Sequence, residues 1–406
     1  MSGTTVLQLG LGWFPETHGG AENVFYHLAR HLPDQGFPVF GLVVGSGRPS
    51  MNGGMNGGMN GSLDGEPRIA PFAPATASLP RRLAAARTGV AAALRRHRPD
   101  LVASHFALNT AAALPALRDH PLVVHFHGPW ALESAAEGAG PLAVRLKFLV
   151  ERLVYGRAAR FVVLSHAFGT ILRERYRVPD HRIHRVEGGV DAARFAIPED
   201  RRTARERLGW PTGRPIVLTV RRLVRRMGLA ALLDAMVELR ARLPDALLLI
   251  AGRGPEAAAL QDRIRILGLT DQVRLLGFVP DAVLPLAYRA ADLCIMPSQA
   301  LEGFGLTALE ALAAGTPVLV TPVGGLPEVV EGLDGDLVLD GNGAGALAAG
   351  LAEALTGARR LPDAEACRAH ARRRFDWPVI AGRVGGIYRG VLSGHDGGGP
   401  ALSMPP

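Results

Sequence analysis

The chain is predicted to be an α/β protein built from two tandem doubly wound domains. Short, continuous apolar runs alternate with helical patterns along its length. The alternation stops and restarts near Pro215, after a charged, proline-containing stretch. At 406 residues the chain also exceeds what one core usually holds, so two domains of about 150–200 residues are expected.

In the first half, TVLQLGLG (4–11) reads as a buried strand and AENVFYHLARHL (21–32) as the helix after it. PVFGLVVG (38–45), LVASH (101–105), LVVHFHG (122–128) and RFVVLS (160–165) are further strands. RRLAAARTGVAAALRRH (81–97) and LAVRLKFLVERLVYGRA (142–158) carry helical patterns between them. The second half repeats the rhythm with PIVLTV at Pro215, LLLIAG (247–252), VRLLGF (273–278), DLCIMPS (292–298) and PVLVTP (317–322). The boundary is placed near residue 197, giving domains over 1–196 and 197–375. The MNGG repeat within 46–67 cannot bury enough surface to order itself and reads as a flexible insertion. SGHDGGGPALSMPP (393–406) reads as a disordered tail.

Composition narrows the function. Hydrophobic residues make up 48% and charged residues 20%, a globular balance. Lys147 is the only lysine and 44 of the 45 basic residues are arginine, the bias of a GC-rich, bacterial genome. The net charge of +8 suits nucleic acid, acidic membrane surfaces or anionic small molecules. The arginines are spread over many helices, with no basic tail and no aromatic platform, so nucleic-acid binding is not expected. Cys294 and Cys367 give neither a disulfide framework nor metal spacing. The first basic residue is Arg30, so no positive leader region is expected, and no apolar run is long enough to span a membrane. A cytoplasmic protein, peripheral at the inner membrane face at most, is expected. The basic helices 81–97 and 142–158 would meet anionic lipid, through Arg81, Arg82, Arg87, Arg95, Arg96 and Arg98, if each does not simply solvate its arginines while packing its apolar face on the sheet, which is the favoured expectation.

The chemistry concentrates at strand ends. EGFGLTALE (302–310) follows the DLCIMPS strand and opens a helix that should stop at Gly315. Gly303 and Gly305 permit close backbone approach, and the helix N-terminus offers free N–H groups for an anion such as a diphosphate. Glu302 and Glu310 then stand on either side to hold hydroxyl groups. TVRRLVRRMG (219–228) places Arg221, Arg222, Arg225 and Arg226 at another strand end, where like charges call for an anion. AGRGPEAAAL carries Gly252-x-Gly254-x-x-Ala257, a near-match to the dinucleotide fingerprint, but no acidic residue ends the next strand to hold a ribose. THGGAE (17–22) sets Gly19 and Gly20 before the first helix. HFHGPW (125–130) sets His127 just past a strand end, with His125 two residues earlier as a core candidate.

Together these stretches resemble the retaining glycosyltransferases of the family-4 type, whose GT-B fold sets two Rossmann-like domains face to face across a cleft. Glu302 and Glu310 meet the E-x7-E signature of that family, and RRLVRRMG, AGRGPE, LGFVP, EGGVDAARF (187–195) and ALAAGTPVLVTPVGGLPEVV share its pattern. RFDWPVIAGRVGGIYRGVL resembles the family's last helix, so 376–392 would cross back to the first domain. The resemblance implies a metal-independent enzyme without cofactor. It would move a hexose from a nucleoside diphosphate sugar, UDP-sugar first and GDP-mannose second, to a hydroxyl acceptor bound by the first domain. Glycan, glycolipid or natural-product biosynthesis would use it. By the same resemblance Glu310 binds the ribose hydroxyls, and Glu302, with backbone N–H groups of Phe304 to Leu306, contacts the donor sugar. Arg222 binds the diphosphate, Gly19 and Gly20 lie beneath it, and His127 contacts the sugar; His127, Glu302 and Arg222 would be the catalytic set. One position departs from the pattern: Met227 stands where the family has lysine, leaving Arg225 or Arg226 to supply the second cation. Two other enzymes remain as alternatives, a GT-B-fold nucleotide-sugar epimerase and an NAD(P)-binding oxidoreductase. Phosphorylases that use pyridoxal phosphate need a lysine that the second domain lacks.

Overall fold

The structure is a computed structural model that describes residues 4–14, 16–45, 68–333 and 335–394. The predicted insertion over 46–67 lies outside the described residues, as does the tail from residue 395. The chain divides into two compact units. One comprises 1–131, 140–186 and 377–406, the other 132–139 and 187–376. The division therefore falls between Val186 and Glu187, ten residues before the expected 197, because EGGVDAARF packs with the second unit. There Asp191 caps the helix Ala192–Phe195, and Val190 bridges to Asp376.

The first unit holds a seven-stranded parallel sheet. Its strands are β1 (Val6–Leu9), β2 (Val39–Val44), β3 (Arg68–Ala73), β4 (Leu101–Ser104), β5 (Leu122–Phe126), β6 (Arg160–Val163) and β7 (Ile183–Arg185), in the order β3-β2-β1-β4-β5-β6-β7. β1, β4 and β5 are buried throughout, as continuous apolar strands covered on both faces should be. β3 and β7 have no counterpart in the sequence reading. β3 is an edge strand with a proline and mostly part-exposed residues, and β7 is only three residues long.

The second unit holds a five-stranded parallel sheet of β8 (Ile216–Val220), β9 (Leu247–Ala251), β10 (Val273–Gly277), β11 (Leu293–Met296) and β12 (Val318–Val320), ordered β10-β9-β8-β11-β12. All five lie within the expected runs.

The helix Trp377–Leu392 groups with the first unit. Trp377 stacks on His27 at 4.7 Å, and the Tyr388 hydroxyl sits 2.7 Å from His125 Nε2. Asp376 interrupts the helical pattern because it leaves the preceding helix, Ala364–Phe375, in an extended conformation.

Helix Pro141–Arg157 departs from the packing expected of it. It buries Glu151, Val154 and Tyr155, while Leu142, Leu146, Leu149 and Leu153 are 50–72% exposed. Glu151 accepts hydrogen bonds from the Tyr176 and Tyr155 hydroxyls at 2.7 Å and 3.4 Å and from the Ala131 N–H at 3.3 Å, which makes a buried carboxyl tolerable. Burial nonetheless raises its pKa.

Candidate active site

In the second unit the strand order reverses between β8 and β11, so the loops leaving these two strands diverge at their carboxyl ends. The loop after β8 carries the four arginines, and the loop after β11 carries Ser298 and Glu302.

The four arginines have different environments. Arg222 and Arg225 are exposed, and neither side chain makes a hydrogen bond or ion pair among the described residues. Arg221 is buried; its Nη2 donates to Glu302 Oε2 and, at 3.1 Å, to the sulfur of Met227. Arg226 is also buried. It donates to the Leu301 carbonyl at 2.8 Å and pairs with Glu133 at 3.2 Å and Glu137 at 3.5 Å. Each of its three guanidinium nitrogens is thus engaged by protein. The charge of Arg226, expected at the donor site, here ties the segment 132–139 to the loop that carries Glu302.

That loop is held at several points. Glu302 Oε2 accepts from Arg221 and from Ser298 Oγ at 2.9 Å, leaving Oε1 without a partner among the described residues. The Glu302 carbonyl accepts the Gly325 N–H at 3.0 Å. Gly324 sits at φ +60°, where an added Cβ would lie 2.0 Å from that carbonyl oxygen, so only glycine lets the 321–325 loop approach. Leu301 takes φ +51°, uncommon for a branched residue, and its carbonyl is the one Arg226 holds.

Beyond Glu302, the Phe304 side chain is buried against Phe375, which leaves only its backbone for a ligand. Gly305, at φ +94°, starts the helix Leu306–Ala313, and no side chain caps that helix. Its first N–H groups are therefore open to an anion. Glu310 lies on the same helix, partly exposed, and accepts a hydrogen bond from the Tyr288 hydroxyl at 2.7 Å. Burial pushes its carboxyl up to about 7, against the pull of that hydrogen bond and of Arg194.

The glycine pair at 252 and 254 is not a phosphate cradle. The Arg221 N–H donates to the Ala251 carbonyl and the Leu223 N–H to the Arg253 carbonyl, both at 2.9 Å, so the two segments run side by side. Gly252 sits at φ +141°, and a Cβ there would lie 1.7 Å from the Arg221 carbonyl oxygen. The glycine serves backbone packing beneath Arg221, which removes the observation behind the oxidoreductase alternative.

Gly19, Gly20 and His127 belong to the first unit, also at carboxyl ends of strands. Gly19 precedes the helix Gly20–His31 that follows β1, and a Cβ on it would meet Glu22 Oε2 at 2.2 Å. His127 follows β5, its Nε2 2.9 Å from His105 Nδ1. His105 in turn stacks on His125 at 4.4 Å. Burial holds all three imidazoles below their ordinary pKa, His127 at about 4, so they are neutral at physiological pH. His127 Nδ1 has no partner among the described residues. A neutral imidazole with a spare nitrogen can give or take one hydrogen bond from a hydroxyl.

Sequence reasoning does not single out Tyr288, Ser298, His105, Glu133 or Glu137, and it sees Arg221 only as one of four arginines. Ser298 and His105 close strand runs read from the sequence but carry no mark of a site there, and all but Ser298, which lies four residues from Glu302, act through partners more than twenty residues away.

Residues 18–194 match the model of the family described as Glycosyltransferase Family 4, and residues 200–374 that of Glycosyl transferases group 1. The D-inositol 3-phosphate glycosyltransferase of Mycolicibacterium smegmatis is 36% identical over 333 residues, which cover 78% of this chain and 74% of that protein. The chain belongs to glycosyltransferase family 4. A second relative of this glycosyltransferase, D-inositol 3-phosphate glycosyltransferase 2 of Catenulispora acidiphila, is 32% identical over 326 residues, 76% of each chain. Solved structures share the fold. Sucrose-phosphate synthase from Thermosynechococcus elongatus superposes with a TM-score of 0.76 at 22% identity, covering 96% of this chain and 100% of that one. Anabaena HepE in complex with UDP and glucose superposes with a TM-score of 0.74 at 20% identity, covering 95% and 99%. The fold is GT-B, with two parallel-sheet α/β domains.

Proposed function

We propose that this glycosyltransferase moves a hexose from a nucleoside diphosphate sugar to a hydroxyl acceptor, with retention at the anomeric carbon. The observation that carries the reading is the β8–β11 junction. It combines an exposed Arg222 with no ion pair among the described residues, an uncapped helix N-terminus and two carboxylates on one short loop and helix. The second unit is the donor-binding domain and the first the acceptor-binding domain. In the second unit Arg222 and the N–H groups of Gly303 to Leu306 meet the diphosphate, Glu302 Oε1 meets a sugar hydroxyl, and Glu310 meets the ribose. On the first unit, Gly19, Gly20 and His127 stand at the carboxyl ends of strands, and His127 Nδ1 is free among the described residues for one hydroxyl.

Glu302 is held as a hydrogen-bond acceptor rather than aimed as a nucleophile, since Arg221 and Ser298 occupy one of its oxygens. The acceptor oxygen then bonds to C1 on the face from which the diphosphate leaves, and the departing phosphate oxygen takes the acceptor proton. Donors fixed before reaction stabilise the charge growing on that oxygen. This chemistry needs no metal or cofactor.

UDP-sugars are the leading donors and GDP-mannose the second. A GDP-mannose-dependent α-(1-6)-phosphatidylinositol monomannoside mannosyltransferase of M. smegmatis is 34% identical over 222 residues, 52% of this chain and 57% of that one. The names of this relative and of the inositol phosphate enzymes both contain an inositol, which supports an inositol-bearing acceptor. The test is proton NMR of UDP-glucose or GDP-mannose with inositol 3-phosphate, in EDTA. An α-linked product from the α-donor is expected. A β-linked product contradicts retention, and an epimerised donor with no acceptor consumed points to the epimerase.

The raised Glu310 carboxyl makes donor binding pH-dependent. The carboxylate accepts two ribose hydroxyls, whereas the protonated acid has lost one acceptor. Affinity is therefore full above pH 7 and falls as pH drops through about 7. Between pH 8 and pH 6 the ionised fraction falls about tenfold, and the affinity for UDP-glucose or GDP-mannose should fall with it. Calorimetry checks this, and Glu310→Gln should flatten the profile.

We also propose that the helix Pro141–Arg157 rests on an anionic bilayer, as a peripheral contact at the cytoplasmic face. Its exposed Leu142, Leu146, Leu149 and Leu153 recur every three or four residues and form one stripe. Arg145, Arg152 and Arg157 are also exposed, and the one acidic residue of the helix, Glu151, is buried. An apolar stripe flanked only by cations suits acidic head groups. No described helix is long and apolar enough to cross a membrane. Pelleting with phosphatidylglycerol vesicles at low salt, lost in Leu146→Ser/Leu149→Ser, is expected. No pelleting, or a dimer that the same variant dissociates, sinks the idea.

A further inference from the structure

We infer that Arg221 supplies the second cation of the diphosphate site, in place of the lysine that the family carries where this chain has Met227. The inference rests on the nucleoside diphosphate reading above. Arg221 extends from the end of β8, its side chain only 4% exposed, and its Nη2 lies 3.1 Å from the Met227 sulfur. The positive charge is therefore restored beside the side chain that lost it, from six residues earlier in the chain.

The neighbouring arginines do not compete for this role. Arg226 is fully engaged by Leu301, Glu133 and Glu137. Arg225 lies exposed on the turn Arg225–Met227. Arg222 already matches the family's own arginine.

A second observation points to a ligand. Arg221 Nη1 is buried and has no hydrogen-bond partner among the described residues. A buried guanidinium nitrogen left unsatisfied costs free energy unless something arrives to accept from it. A forked guanidinium can serve two acceptors at once, which a lysine ammonium does with less geometric definition. Here Nη2 holds Glu302, so Nη1 is the donor left for a phosphate oxygen. The diphosphate and the sugar-contacting carboxylate would then be linked through one side chain.

The experiment is calorimetry of UDP, GDP and the matching monophosphates with the wild-type chain, Arg221→Met, and Arg221→Met/Met227→Lys. Arg221→Met should weaken the diphosphate by about 10–100-fold and narrow the gap between diphosphate and monophosphate. The double variant, with lysine at 227, should recover most of the loss. Wild-type affinity in Arg221→Met overturns the inference, as does an equal loss for diphosphate and monophosphate that lysine at 227 does not repair. If Arg221→Met fails to fold, Arg221→Met/Glu302→Gln removes the buried charge pair together and carries the same comparison. Absence of any nucleoside diphosphate binding by the wild-type chain would instead sink the functional reading, and this inference with it.

Discussion

Glu302→Gln is expected to lower sugar transfer by at least about 10²-fold while nucleoside diphosphate binding survives. The substitution keeps the shape of the side chain and leaves an oxygen for Arg221 and Ser298. It removes the charge at Oε1, the only carboxylate oxygen of Glu302 that no described residue occupies. A hydrogen bond to a sugar hydroxyl that tightens as C1 becomes electron-poor is lost mainly in the transition state, so kcat should fall more than KM. Alanine would be a poorer probe. It leaves the Arg221 guanidinium buried without its partner, which costs about 3–5 kcal/mol, and mixes a folding defect into the kinetics. Near-normal turnover by Glu302→Gln would place the sugar contact elsewhere.

Arg226→Ala should act on stability instead. Its side chain is 5% exposed and bridges Glu133, Glu137 and the Leu301 carbonyl. Removing it strands Glu133, whose carboxyl burial already pushes upward, with Arg226 as the main opposing charge. Breaking a buried pair on one side costs about 3–5 kcal/mol, which at this size lowers the melting temperature by roughly 6–20 °C. Arg225→Ala, on the exposed side of the same turn, should stay within about 0.5 kcal/mol of wild type. Differential scanning calorimetry of both variants is the check. An Arg226→Ala protein that melts like wild type but no longer binds nucleotide would return Arg226 to the diphosphate.

The contrast between these arginines shows where sequence reading stops. The buried strands were legible because continuous apolar runs have few other uses, and the glycine-bounded helix after Glu302 because its start and stop signals are local. β3 and β7 were not legible: an edge strand with a proline and a three-residue strand carry no periodic signal. Within TVRRLVRRMG the spacing marks a cationic strand end but does not tell its members apart. Arg226 is fixed by Glu133, more than ninety residues away in sequence, and Arg221 by Glu302, about eighty away. The same limit applies to helix Pro141–Arg157. Its leucines have helical spacing whether they face the sheet or solvent, and only the tertiary structure shows Glu151 turned inward instead. The Gly252-x-Gly254 pair misleads for a related reason. Glycine is required both for phosphate approach and for backbone packing, and here the backbone of Arg221 fills the space.

The most direct measurement of the central claim is thermal stabilisation of the protein by UDP, GDP, ADP and dTDP, with Glu310→Ala alongside. A nucleotide site at the β8–β11 junction predicts that one of the four raises the melting temperature. At a hundredfold excess over Kd the stabilisation amounts to about 2.7 kcal/mol, and Glu310→Ala should abolish most of it. No shift with any nucleotide, or a shift that Glu310→Ala leaves intact, would contradict the account.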